Sequence, residues 1–328
     1  MNGLKIFQDL FSAAVAMGTP ILFAAVGEII TEKSGVQNLG LEGLMYIGAI
    51  TAFLSGLALT AAGVPTTLAM IIVILLALIA GAIFASIHAF LCLNLRANQI
   101  VTSLALSLLG TGLAYYLGKV LITDATAILN DRLTEIKLIP DSFNIPFVGE
   151  VLRIFLNQDL LVFLAYATVI ITWFFIYKTQ AGLNLRAIGE NPGAADAVGV
   201  NVKMSRFFYV MLGGGLTGIG GAALIISASS VGQWGQGMVA GRGWIAIALV
   251  IFARWNPKIV IWGAYLFGVA IALTSRAQTY GWFSDIFILK MLPYLVTILV
   301  LLVTFIFSKT KDIGEPESLA KPYDREER

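Results

Sequence analysis

The chain has 328 residues, 58% of them hydrophobic and 12% charged, where a soluble domain carries roughly a quarter charged residues. With a mean hydropathy of +0.88 and 33 glycines, the composition excludes a water-soluble globule and indicates a helical membrane bundle packed through small residues. The formal charge of +2 comes from 21 basic residues scattered among 19 acidic ones, which excludes the clustered basic face of a nucleic-acid binder.

A charge at the bilayer centre costs about 2.5 to 3.5 kcal/mol, so gaps between charges mark the spans. The N-terminus carries one basic residue, Lys5, before an apolar stretch that runs on through Pro20 to Val26, and it reads as an uncleaved first span over Leu10 to Gly27. The next segment, Glu28 to Glu42, holds Glu28, Glu32, Lys33 and Glu42 and cannot lie in lipid; a cytoplasmic turn and a broken helix inside the bundle both satisfy it. Between Glu42 and Lys119 the sole charged residue is Arg96, which leaves spans near Leu44–Ala62, Thr67–Leu93 and Ile100–Leu121. His88 and Cys92, the only histidine and cysteine, fall in the second of these runs. A lone pair of this kind makes no cluster metal site and no disulfide, and His88 is expected to pack or to hydrogen-bond between helices.

Thr123 to Asp159 forms the longest loop, with more acidic than basic residues, and suits the outside. Further uncharged runs follow at Leu160–Tyr177, Phe207–Gly241, Gly243–Ala253, Ile259–Ser275 and Met291–Ser308. At about 20 residues per span this predicts an all-α, polytopic bundle of about nine spans, with eight and ten as neighbouring counts. Arg96, Lys178, Arg186, Lys203, Arg206, Arg254, Lys258, Lys309 and Lys311 then share one side, the cytoplasmic one. Residues 1–308 form the membrane domain, and the charged tail 309–328, with Pro316 and Pro322, is expected to be disordered or loosely docked.

Two stretches carry more than span information. In Lys178 to Arg206, Asn191 suits a helix N-cap, Pro192 the first helical position and Gly199 a left-handed stop. The short helix between them, with Gly193, Ala194, Ala195, Ala197 and Val198 beside Glu190 and Asp196, is suited to a groove on another protein; spacing alone leaves an ordinary interfacial helix equally open. The run Gly213 to Gly221 lacks the lysine of a phosphate loop and lies in an uncharged segment, so Gly214, Gly218, Gly221 and Ala222 read as a helix-packing face. Without a phosphate loop, active transport would draw on an ion gradient or a separate ATPase. Without clustered His, Cys or paired acids at membrane depth, catalytic residues are not expected.

Several runs resemble a known family. Glu32-Lys33-Ser34-Gly35-Val36-Gln37-Asn38-Leu39-Gly40-Leu41-Glu42-Gly43, Ala97–Val101, the run from Gly182 to Val200, Ala240–Phe252 with Trp255-Asn256-Pro257, Gly263–Gly268 and Leu292–Leu295 resemble permease subunits of ABC importers. The group is the branched-chain amino acid and ribose permease family, nearest its nucleoside and simple-sugar branch, and the resemblance covers about Val26 to Leu302. It implies a half-channel pairing with a second, similar permease, an ABC ATPase on the cytoplasmic face that binds ATP and magnesium, and an extracytoplasmic solute-binding protein, usually a lipoprotein. The chain itself would need no cofactor and would sit in a bacterial plasma membrane. On this resemblance Glu190 to Gly199 is the coupling helix, and Ala195→Arg is expected to abolish ATP-driven uptake while leaving membrane insertion intact. Nucleosides are favoured over simple sugars, with a gradient-driven carrier as the remaining alternative. Polar residues near span ends, Asn38, Glu42, Asn98, Gln99, Gln233, Trp234, Gln236, Arg242 and Trp244, are the candidates for the substrate pathway; capping and interfacial anchoring explain the same residue types.

Overall fold

The computed structural model describes residues 3–121, 136–140, 148–227, 234–280, 291–307 and 314–324. Twelve helices and two short strands account for most of them: α1 Gly3–Lys33, α2 Leu41–Ala61, α3 Thr66–Leu93, α4 Gln99–Leu121, β1 Ile136–Lys137, α5 Val148–Leu156, β2 Asn157–Gln158, α6 Leu160–Lys178, α7 Gln180–Glu190, α8 Pro192–Ala197, α9 Val202–Ile226, α10 Arg242–Phe252, α11 Pro257–Tyr280 and α12 Leu292–Phe307. Among the described residues seven helices are long and apolar enough to cross a membrane: α1, α2, α3, α4, α6, α9 and α11. The protein is therefore a multi-pass helical membrane protein.

The described part of each apolar run is wholly or largely helical, but one helix is shorter than a bilayer: α10 has only 11 residues. At 1.5 Å per residue α10 is about 16 Å long, half of a hydrocarbon core of about 30 Å. The expectation of a full span at Gly243–Ala253 is thus corrected. The preceding run, Phe207–Gly241, divides as well, since α9 ends at Ile226 and residues 234–241 are not helical.

The centre of the bundle is α9, 78% buried along its apolar stretch, against 28% for the peripheral α4. Its glycines allow this by meeting three helices at backbone distance. Gly213 faces the Gly27 carbonyl of α1, Gly214 and Gly218 face Gly81 and Ala77 of α3, and Gly221 faces Met45 and Ala49 of α2. A Cβ on Gly48 of α2 would overlap the Gly218 backbone, while one on Gly218 would strike the Ala77 carbonyl of α3, so α9 is held at backbone distance on both sides. Ala222 completes a fully buried patch with Ala49, Ala52, Val73 and Ala77. Because lipid offers no hydrophobic gain for helix association, such close packing is the main attraction available.

α1 runs past its expected end at Gly27 and carries Glu28 and Glu32 into the protein interior, 1% and 2% exposed. Both acids avoid lipid because α9, α10 and α11 surround the helix. The Asn38 amide donates to Glu28 Oε1 at 2.9 Å, and Trp255 Nε1 donates to Glu32 Oε2 at 2.5 Å. Of the outer loop, β1 and β2 pair antiparallel, α5 leans on α1, and Asp159 caps α6 through the Val162 amide. At the opposite end of α6, Trp173 lies beneath the ammonium groups of Lys258 (3.5 Å to the ring centre) and Lys178 (5.9 Å). Of the basic residues assigned to the cytoplasm, Lys178 and Lys258 meet over Trp173, and Arg96, Lys203 and Arg206 gather around the tail residues 318–324; Lys309 and Lys311 lie outside the described residues.

Candidate functional site

α10 ends at the cytoplasmic side, where Trp255 meets Glu32 near the end of α1, and its half-length puts its first turn at mid-membrane depth. The chain enters that turn through Gly237, Ala240 and Gly241, with φ of +78°, +50° and +79°. Such irregular backbone is tolerated inside a bilayer only where protein or water surrounds it. A helix N-terminus there presents unsatisfied N–H groups, and the protein supplies the acceptor itself. Glu42, on the first turn of α2, accepts from Gly241 N at 2.9 Å on Oε1 and from Gly243 N at 2.9 Å on Oε2. A carboxylate at this end also meets the positive end of the helix dipole. Arg242 beside it turns back, and its Nη1 donates to the carbonyls of Met238 (2.8 Å) and Val239 (3.1 Å).

An aromatic group lies over the same segment. The hydroxyls of Tyr46 on α2 and Tyr115 on α4 are 3.1 Å apart, and Gly237 N donates to the Tyr115 hydroxyl at 3.0 Å. The Trp234 ring packs edge-on to Tyr46, 6.4 Å between centres, with its indole edge against Gly118. Gln236 is exposed, and Trp244 on the first turn of α10 is 43% exposed. Sequence reasoning missed Tyr46 and Tyr115, because a tyrosine in an apolar run reads as core. The signal available was that each brings a hydroxyl needing a partner into a span.

The remaining pathway candidates sit elsewhere. Asn38 and Gln99 shape the turn 34–40, which leads to Glu42: Asn38 Oδ1 accepts from Gly40 N at 2.9 Å and Gln99 Oε1 from Gln37 N at 2.7 Å. His88, fully buried, donates from Nε2 to the Gln37 carbonyl at 3.0 Å, which leaves Nδ1 to accept from the Thr102 hydroxyl at 3.1 Å. That is the interhelical hydrogen bonding expected of this residue. Asn98 is a helix cap, with Oδ1 accepting from Ile100 N and Val101 N, and is not brought to the α10 entrance. Gln233 lies outside the described residues.

On the cytoplasmic face α7 is capped by Thr179, and α8 by Asn191, whose Oδ1 accepts from Ala194 N at 2.9 Å. Pro192 occupies the first position and Gly199 closes the element at φ +91°. Ala194, Ala197 and Val198 face outward, Val198 being 80% exposed. Ala195 does not: it is 2% exposed and belongs to the apolar core, so an arginine there would disrupt the fold itself and is no test of docking.

Of the tail 309–328, expected to be disordered or loosely docked, residues 309–313 and 325–328 lie outside the described residues. Residues 314–324 dock on the bundle and supply donors and acceptors to a buried polar seam. Lys33 Nζ donates to the Gly314 carbonyl (2.8 Å), Ser318 N donates to the Gly189 carbonyl (2.9 Å), and Asp324 pairs with Arg96. Leu319 and Tyr323 pack against the apolar core. Between the tail, the α3–α4 corner and the α8–α9 turn lies a cavity of about 490 Å³ lined by Leu93, Arg96, Asp196, Lys203 and Tyr323.

The described chain is thus a multi-span helical membrane bundle with a half-length helix, α10, and a capped six-residue helix, α8, between two spans. The chain belongs to the family described as branched-chain amino acid transport system / permease component, which matches residues 10–311. It is 35% identical, over 98% of its length and 99% of the relative's, to TsgC13 of Haloferax volcanii, provisionally named a glucose ABC transporter permease. It is 34% identical to the nucleoside ABC transporter permease NupC of Lactococcus lactis and 33% to the guanosine ABC transporter permease NupQ of Bacillus subtilis, each over 92% of this chain and 93% of the relative. The same two organisms hold more distant relatives, NupB and NupP, 21% and 22% identical to it. The protein is an ABC transporter permease subunit, and ATP hydrolysis is the work of a partner subunit.

Proposed function

We propose that this permease carries nucleosides, as one half of the channel of an importer in a bacterial plasma membrane. The observation that carries the reading is its similarity to NupC and NupQ along nearly the whole chain. The presence of NupB beside NupC and of NupP beside NupQ supports a second, divergent permease as the other half. The remaining partners are an ABC ATPase that binds ATP and magnesium and an extracytoplasmic solute-binding protein of the lipoprotein type; the permease holds no cofactor.

Glu190 to Gly199 acts as the coupling helix, with Ala194, Ala197 and Val198 as its docking face. Closure of the ATPase pair displaces this helix, and the spans shift between outward and inward openings according to which state nucleotide binds better. The solute passes the entrance to α10. There Trp234, partly exposed, and Trp244, exposed, offer ring faces for a base or a sugar, and Arg242 Nε, buried and without a hydrogen-bond partner among the described residues, is an available donor. Substrate binding makes and breaks no covalent bond in this chain.

A sugar is the second reading, favoured by TsgC13. Uptake of labelled guanosine, uridine, ribose and glucose, compared between cells with and without the gene and challenged by excess unlabelled competitor, separates the two. Loss of nucleoside uptake alone supports the proposal. Loss of sugar uptake alone replaces the substrate and keeps the architecture.

A further inference from the structure

Arg206 lies near the start of α9 and is 1% exposed, yet its described hydrogen bonds reach no carboxylate. Nε donates to the Ser34 carbonyl at 2.9 Å, Nη2 to Ser318 Oγ at 2.8 Å and to the Ile188 carbonyl at 3.4 Å, and Nη1 to the Lys321 carbonyl at 3.4 Å. One guanidinium therefore joins four segments: the α1–α2 turn, α7, α9 and the C-terminal tail. Ser318 is the second member of this joint. Its hydroxyl donates to the Gly189 carbonyl at 2.6 Å while accepting from Arg206, and its amide donates to the same carbonyl at 2.9 Å. Gly35 (φ +87°) fits the remaining space, since a Cβ there would strike both Arg206 and Ser318.

The joint stands between two sites already described. On one side Ile188 and Gly189 end α7, directly before the coupling helix. On the other, Ser34 begins the turn whose far end is Glu42, the cap of α10. Along that turn Gln37 is pinned by His88 and Gln99, and the Asn38 amide by Glu28, so displacement at Ser34 has little slack in which to dissipate. A salt bridge to one acid would fix Arg206 to one element; four carbonyl and hydroxyl acceptors tie it to all of them.

We propose that Arg206 and Ser318 are positioning residues that carry motion of the coupling helix to the mid-membrane entrance of α10, with the docked tail as the strap that closes the joint. The inference rests on the coupling-helix reading above. It makes the tail a working part of the transport cycle and assigns the turn 34–40 the role of connecting rod. Contiguity alone does not establish coupling, so the test must read the response at both ends.

The assembled transporter, in lipid nanodiscs, is spin-labelled at cysteine introduced for Leu183 on α7 or for Trp244 on α10, both accessible. Native Cys92 is buried and does not compete. Spectra are recorded before and after trapping with ATP and vanadate. In the intact sequence both labels shift. In Ser318→Ala the Leu183 label keeps its shift, whereas that at Trp244 falls at least about threefold. Ser318→Thr, which retains the hydroxyl, restores it, and Arg206→Lys gives the larger loss. Adding Glu42→Gln to Ser318→Ala should produce little further loss, because both interrupt one connection. An undiminished shift at Trp244 in Ser318→Ala overturns the inference and leaves the coupling helix standing. Equal loss at both labels makes Ser318 a general structural residue and also overturns it. No shift at either label in the intact transporter removes the coupling-helix reading along with it.

Discussion

α9 and α10 follow one another in the chain and are held by opposite means. α9 is a full span whose neighbours approach on bare glycine backbone, with Gly213, Gly214, Gly218 and Gly221 each against main chain or a methyl group. α10 is half a span, and its exposed end is closed by polar groups, Glu42 on the amides of Gly241 and Gly243 and Arg242 on two carbonyls. The first kind of contact is short-ranged and unforgiving, and cannot be made gradually. The second can be exchanged, because a carboxylate that leaves two amides can be replaced by water or by a solute hydroxyl. The rigid helix supplies the frame, and the broken one the place where the frame opens.

Overfilling the frame should have the largest effect. Gly218→Val forces apart the α3 contact at Ala77 and Gly81, at a cost of about 3 kcal/mol, seen as loss of folded protein after detergent extraction. Opening the cap comes next: Glu42→Ala leaves two interior amides without their acceptor, worth about 2 kcal/mol, and should lower both thermal stability and uptake. Glu42→Gln keeps one neutral acceptor and should lose about half as much. If Glu42→Ala proved as stable as the native chain, the contrast between the two helices would collapse. The coupling helix sharpens it further. Val198→Arg should abolish ATP-driven uptake with unchanged melting temperature, whereas Ala195→Arg should reduce folded yield. Smallest, Asn191→Ala removes one cap bond and should cost about 1 kcal/mol locally, read as faster amide exchange in α8.

Much of this molecule was legible because membrane burial writes itself as charge gaps, and because α8 is spelled by Asn191, Pro192 and Gly199. The length of α10 was not, since an apolar run ending at Gly241 and another starting at Gly243 look like two spans, and only the positive φ values of residues 237–241 reveal the break. Glu28 and Glu32 suggested an early end to α1; three neighbouring helices shelter them instead, which no local pattern announces. The docking of the tail is hidden for a related reason. Its mixed charge suggests disorder or loose docking, but Ser318 and the Lys321 carbonyl answer an arginine more than a hundred residues away. Glu42, Arg242 and the two tryptophans, chosen for their residue type near span ends, are placed at or beside the α10 entrance, while Asn98 met the same criterion and caps α4.

The stacking of Lys258 and Lys178 on Trp173 has a consequence for the surrounding lipid. α6 has 19 residues, about 28 Å, so its cytoplasmic end is anchored at the headgroups with almost no length to spare; α3, with 28 residues and about 42 Å, must tilt or protrude. A thicker bilayer is accommodated by righting α3 but only by stretching or submerging the Trp173 anchor. Acyl-chain length in reconstituted vesicles therefore bears on the α6 side of the subunit first, and transport should be more sensitive to long-chain lipids than to short ones.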